Sequence, residues 1–211
     1  TAGFEALVRS SEPMMPNPLA LLEAAERLGR MHDLGRRVRA CAAASFAPPT
    51  ADAMLFVNVH AADLSDPDLY AINAPLTRIA SRVVLEVTER VALEEVADIR
   101  ARATELRGLG YRIAVDDLGA GYAGLTSFAN LEPEIVKLDM SLVRGIDKSP
   151  VRSRIVEGIA SLCRSLDMRV VAEGIETRDE LRCVQALGCD YLQGYLFGKP
   201  ARDLAVGTRH D

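Results

Sequence analysis

Residues 111–121 read Tyr111-Arg-Ile-Ala-Val-Asp116-Asp117-Leu-Gly-Ala-Gly121. An apolar run of strand-like composition ends in two adjacent carboxylates and opens at once into a glycine-flexed loop. Two carboxylates at the end of a buried strand concentrate negative charge where solvent helps least, so they call for a cation. Taken alone, the pair reads equally well as a helix N-cap or a turn. The choice depends on what the rest of the chain brings to the same place.

Working outward, the hydrophobic period alternates. The pattern predicts a helix over 94–109 stopped by Gly110, preceded by strands over 83–87 and 54–59, with helices over 68–79 and 18–44. Residues 1–9 read as an extended piece with Glu5 and Arg9 at its polar positions. Beyond the carboxylates the pattern predicts a short helix near 122–130, strands over 135–139, 169–172 and 191–194, and helices over 151–166 and 178–187. Such βαβ repetition with short connections implies an α/β fold of parallel strands covered by helices. Asn58, Glu86, Asp116, Lys137 with Asp139, Glu173 and Gln193 each fall at or near the C-terminal end of a successive strand. In a parallel barrel those ends share one mouth, and the mouth carries the chemistry.

Composition narrows the classes. At 211 residues the chain suits one domain over 1–211, since α/β barrels of about 200 to 250 residues commonly form one; the tail 201–211 is assigned no role. No apolar run approaches the roughly 18 residues of a membrane span, and a net charge of −5 gives no general attraction to DNA or to an anionic membrane. Cys41, Cys163, Cys183 and Cys189 contain no C-x-x-C pair and read as small core residues, which fits a reduced, cytoplasmic setting. The three histidines, His32, His60 and His210, are scattered, so a metal here has oxygen ligands, magnesium or manganese rather than zinc. Arg27, Arg30, Arg36, Arg37 and Arg39 interleave with Glu23, Glu26 and Asp33 and read as a solvated helix face. His60 reads as a packed or rim histidine on the same side of its strand as Asn58.

Seven motifs then occur in order: Glu5-Ala6-Leu7-Val8-Arg9, Val-Asn58-Val, Leu-Glu86-Val-Thr-Glu89, Asp116-Asp117-x-Gly-x-Gly121-Tyr, Val-Lys137-Leu-Asp139, Val-Ala-Glu173-Gly-Ile-Glu176-Thr and Leu-Gln193-Gly-Tyr-Leu-Phe. Together they resemble the EAL family of cyclic-di-GMP phosphodiesterases. The resemblance implies a modified TIM-type (β/α) barrel of parallel strands, with room for an antiparallel first strand, and hydrolysis of cyclic di-GMP to linear pGpG. It implies that Glu5, Asn58, Glu86 and Asp116 bind one Mg2+ or Mn2+ ion, and that Asp116 and Asp117 bind a second. Lys137 and Glu173 would hold or deprotonate the attacking water. Leu7, Arg9, Asp139 and Gln193 would meet substrate, Arg9 at a phosphate, while Glu89 braces the loop after Asp117 and Glu176 and Gln193 support the site. The family also admits a homodimer and implies fusion to sensory or signalling domains.

Three departures stand out. No Gln-Pro-[Ile/Val] segment precedes Glu5, so the family's first strand is expected to be missing; 118–121 reads Leu-Gly-Ala-Gly where Phe-Gly-Thr-Gly is usual; and 12–18 is short. The altered loop sustains an alternative, a catalytically silent module acting as a cyclic-di-GMP receptor. Substituting Glu5 or Lys137 is expected to remove turnover with little loss of fold.

Overall fold

The computed structural model describes residues 1–15, 17–47, 52–88, 98–120 and 126–201. Seven strands, β1 (Gly3–Ala6), β2 (Met54–Val59), β3 (Val83–Thr88), β4 (Arg112–Leu118), β5 (Ile135–Leu138), β6 (Arg169–Ala172) and β7 (Tyr191–Leu192), form one sheet in chain order. Every ladder is parallel. The sheet curls far enough that Gln193, just past β7, donates from Nε2 to Glu5 Oε2 in β1 at 2.7 Å. The room left for an antiparallel first strand is not used among the described residues. β1 runs parallel to β2 with Gly3 opposite Met54, and Glu5 accepts from Asn58 Nδ2 at 3.2 Å.

Helices supply the crossovers that parallel strands require. α1 (Pro18–Arg27) and α2 (Met31–Ser45) join β1 to β2; α3 (Pro67–Tyr70) lies between β2 and β3, α4 (Ile99–Gly108) between β3 and β4, and α5 (Thr126–Leu131) between β4 and β5. α6 (Met140–Val143) and α7 (Pro150–Ser165) follow β5, and α8 (Arg178–Ala186) follows β6. Local chemistry fixes several boundaries. Asn17 accepts from Ala20 N at 2.9 Å ahead of Pro18 at the first helical position, and Thr177 with Glu180 makes a capping box on α8. The stretch predicted as one helix over 18–44 is broken by Gly29 at φ 63°, a left-handed turn that glycine adopts cheaply. The helix predicted over 68–79 shrinks to α3 because Pro75 removes an N–H and disfavours helix before it; the chain resumes as a 3-10 segment, Thr77–Arg82.

The inward faces of the strands form two layers. Met54, Val84, Ala114, Ile135 and Val171, with Phe56 and Tyr191 against them, make an apolar floor. Two residues further along each strand, on the same face because side chains alternate with period two, stand Asn58, Glu86, Asp116, Lys137, Glu173 and Gln193. In β1 the floor position is Gly3, where an added Cβ would lie 2.7 Å from the Phe56 ring. Outward faces pack against helices in two clusters, one around Leu55, Val57 and Leu85 under α2 and α4, the other around Val136, Leu138 and Val170 under α7 and α8.

The arginines of α2 do not all stay in solvent. Arg39 is only 4% exposed, with Nη1 2.5 Å from Asp63 Oδ1 and Nη2 2.5 Å from Asp66 Oδ2, while Arg36 Nη2 reaches Asp66 Oδ1 at 2.7 Å. A Cβ on Gly35 would overlap the Asp63 carboxylate, so glycine there admits the ion pair. Burial alone would raise the Asp66 pKa, but hydrogen bonds from Arg36, the Asp68 N–H and Arg39 hold it well below the ordinary value. Arg27 and Arg30 do lie in solvent, paired with Glu23 and Asp33.

Candidate metal centre

The polar layer converges on one ammonium. Lys137 is 2% exposed, and its Nζ lies 2.5 Å from Glu86 Oε1, 2.6 Å from Glu173 Oε1, 3.0 Å from Asp116 Oδ1 and 3.9 Å from Glu5 Oε2. Asn58 Nδ2 donates to Glu5 Oε1 at 3.2 Å and to Glu86 Oε2 at 3.1 Å, bridging two of the acids and leaving its Oδ1 free of those bonds. Four carboxylates thus surround a single cation in a largely dry place. Glu86 Oε1, Asp116 Oδ1 and Glu173 Oε1 are buried and accept no oriented hydrogen bond; the ammonium is their close partner. Buried carboxylates that share a single ammonium leave negative charge in excess, which costs free energy unless more positive charge arrives.

Asp117 joins through a distortion. Between Val115 and Leu118 β4 advances three residues while β5 advances two, from Val136 to Leu138, which is a bulge. In a regular strand Asp116 and Asp117 would face opposite ways. The bulge, with Asp117 at φ 59°, re-aims the second carboxylate so that oxygens of Asp116, Asp117 and Glu173 all lie within 4.8 Å of one another. A non-glycine residue in this left-handed region costs roughly 1 kcal/mol, and such strain gathers at functional sites. Hard oxygens at this spacing suit a divalent cation.

Electrostatics agree. Burial raises the Glu86 pKa well above the usual carboxylate range, with Glu5 and Asp116 adding to it and Lys137 opposing. Burial also lifts Glu173 from 4.5 to about 7, helped by Asp116 and Glu5 and opposed by Lys137. Burial would depress Lys137, but Glu86, Glu173, Asp116 and Glu5 together hold its pKa well above the ordinary value. The raised Glu173 value has a sign. Its stabilising contribution is fully present below 4.5, declines as pH rises through about 7, and is then gone. In EDTA the melting temperature should therefore fall between about pH 5 and about pH 8. Added Mn2+ should stabilise the protein most at the alkaline end, where the acids are ionised. Thermal melts showing no pH trend in this window would contradict the described acid cluster.

The other anticipated residues have different partners. Arg9 is exposed and donates to Val8 O; Leu7 is 42% exposed. Asp139 caps α6 by accepting from Ser141 N at 2.9 Å. Glu176 is exposed and paired with Arg144 rather than with the acids. Glu89 and Gly121 lie outside the described residues. His60 caps a 3-10 turn, accepting from Ala62 N at 3.2 Å while its own N–H donates to Asp63. The β4 bulge and the seating of α6 escaped sequence reading. The Asp-Asp-x-Gly run was a usable signal for the first, and a four-residue helix is too short to show a period.

A parallel α/β sheet rolled about a mouth rich in carboxylates defines a barrel-type domain with a candidate divalent-metal centre. The chain belongs to the EAL domain family, which it matches over residues 1–200. Among relatives, the cyclic di-GMP phosphodiesterase PA2567 of Pseudomonas aeruginosa is 34% identical over 207 residues, 94% of this chain and 35% of that protein. BlrP1 of Klebsiella pneumoniae, solved in a manganese and cyclic-di-GMP complex, superposes with a TM-score of 0.81 at 31% identity, covering 94% of this chain and 52% of that one. The PaMucR phosphodiesterase in its c-di-GMP complex gives 0.76 at 29% identity, covering 94% and 85%. The chain spans about a third or less of the length of the curated relatives it first matches.

Proposed function

We propose that this domain is a metal-dependent phosphodiesterase that opens cyclic di-GMP to linear pGpG. The observation that carries the reading is the ring of Glu5, Glu86, Asp116 and Glu173 around Lys137, on a chain whose relatives bear that activity in their names. Glu5, Asn58, Glu86 and Asp116 would hold one Mg2+ or Mn2+, and Asp116 with Asp117 a second. Bound there, such cations lower the pKa of a water and neutralise charge on the attacking and leaving oxygens.

The chain's own groups do the rest. Glu173, largely buried with Oε1 2.6 Å from Lys137 Nζ, is assigned to take the proton of the attacking water. Lys137 supplies a fixed positive charge that orients the resulting hydroxide. The water oxygen bonds to phosphorus, the bond to the 3′ oxygen breaks, and that oxygen takes up the proton that Glu173 removed from water and leaves as the hydroxyl of pGpG. Arg9, Leu7, Asp139 and Gln193 are assigned to substrate, and Glu89 and Glu176 to support. The domain is read as residues 1–200 followed by a tail, acting in the cytoplasm beside sensory or signalling segments. A homodimer is compatible with this reading. No helix among the described residues is long and apolar enough to cross a membrane.

Purified protein incubated with cyclic di-GMP should release pGpG with Mn2+ or Mg2+ and stop with EDTA. Ca2+, run in parallel, tests whether charge alone suffices. Tight binding of cyclic di-GMP with no pGpG under any metal would replace this reading with the receptor, for which the Leu118-Gly-Ala sequence is the motivating feature.

A further inference from the structure

We propose that α6 is a positioning element for the metal centre, with Leu142 setting residues 118–120 after Asp117 and Met140 setting the turn that follows Glu173. The inference rests on the metal-dependent reading above and assigns residues that touch neither metal nor substrate.

The two segments are separate in sequence but share one support. Gly119, at φ 108°, lies so close to Leu142 that an added Cβ would come within 2.5 Å of Leu142 Cδ1. Gly174, at φ 69°, is pressed against Met140, where an added Cβ would overlap the Met140 Cβ. Each glycine stands one or two residues beyond a carboxylate of the acid trio, Gly174 after Glu173 and Gly119 after Asp117. The backbone repeats the pattern. The Asp139 N–H donates to Leu118 O at 3.0 Å, the Ser141 hydroxyl to Gly119 O at 3.4 Å, and the Glu173 N–H to Leu138 O at 3.2 Å.

The short helix is itself pinned at both ends. Asp139 caps its start, Glu180 accepts from Gly145 N at 2.8 Å just past its end, and Arg144 pairs with Glu176 on the chain that leaves Glu173. Asp117 and Glu173 are therefore referenced to one body. Their oxygens lie within 4.8 Å of each other and of Asp116 although they come from different strands. Shaving the side chains that seat this body should let the two carboxylates drift apart, and groups that orient metal ligands from behind typically govern 10- to 100-fold in affinity.

The test is Mn2+ binding by titration calorimetry at neutral pH, alongside thermal melts in EDTA. Leu142→Ala and Met140→Gly, which removes the Cβ set against Gly174, should each weaken Mn2+ binding by roughly 10-fold or more, while Leu142→Met stays near wild type. Val151→Ala, at an exposed position on α7, should change nothing. Met140 is 47% exposed, so its variant keeps the test sound if Leu142→Ala folds poorly. Wild-type binding with undiminished binding in Met140→Gly and in folded Leu142→Ala overturns the positioning role alone. Failure of the wild type to bind Mn2+ overturns the metal reading itself, and this inference with it.

Discussion

Lys137→Met is expected to abolish turnover, to destabilise the metal-free domain, and yet to tighten Mn2+ binding. The first effect follows from loss of the charge assigned to the attacking hydroxide, worth about 10²- to 10³-fold in rate. The second follows from burial. At 2% exposure, Lys137 is the close partner of buried oxygens on Glu86, Asp116 and Glu173. Breaking a buried pair by removing one partner costs about 3–5 kcal/mol, so the expectation that mouth residues hardly affect folding does not extend to this one. Glu5, with its side chain 15% exposed and 3.9 Å from the ammonium, should come closer to it. The third effect has the opposite sign from an ordinary loss of function. Removing the ammonium frees the same carboxylate oxygens and deletes a repelling charge, so a divalent ion should bind at least about tenfold tighter, equal to 1.4 kcal/mol. Melts in EDTA and with Mn2+, beside a binding titration, separate the three. Weaker Mn2+ binding by the variant would mean that the ammonium helps to build the cation site rather than competing with it.

Arg39→Ala should be the most damaging single change away from the mouth. It leaves Asp63, 5% exposed, without its arginine and, among the described residues, with only the His60 N–H still donating to it, and leaves Asp66, 0% exposed, to Arg36 and the Asp68 N–H. Loss of about 3–5 kcal/mol corresponds to a fall of roughly 10 °C or more in melting temperature for a domain of this size. Because the pair joins α2 to the turn after β2, far along the chain from the acid trio, Mn2+ affinity measured well below the melt should hold. Arg39→Lys should rescue only part of the loss, since an ammonium cannot match two carboxylates with a rigid fork. Unfolding curves that coincide with wild type would show that the network contributes nothing net to stability.

The legibility of the chain followed physical scale. Strands announced themselves by short apolar runs ending in one polar residue, and because the strands are parallel, the positions of Asn58, Glu86, Asp116, Lys137 and Glu173 already implied a shared mouth. The direction of Asp117 was not legible. A period-two reading points it away from Asp116, and only the bulge, a property of how β4 meets β5, turns it back. Arg39 was misread for a similar reason: charge interleaving along α2 describes one helix, whereas its burial depends on Asp63 and Asp66 arriving from another segment. Gly29 and Pro75 were visible breakers inside spans predicted as continuous helices, and giving them full weight would have placed those boundaries correctly.

The apolar floor beneath the acids has a consequence for traffic. Val84 and Ala114 are 0% exposed, Ile135 2%, Val171 4% and Met54 5%, and the Phe56 ring lies over the spot that Gly3 leaves vacant. Among the described residues this layer leaves the inner faces of the strands apolar beneath the acids. Under the proposed reaction, substrate and product share the acid side of that layer, so a bound product blocks the next arrival and its departure is expected to be the slow event of the cycle.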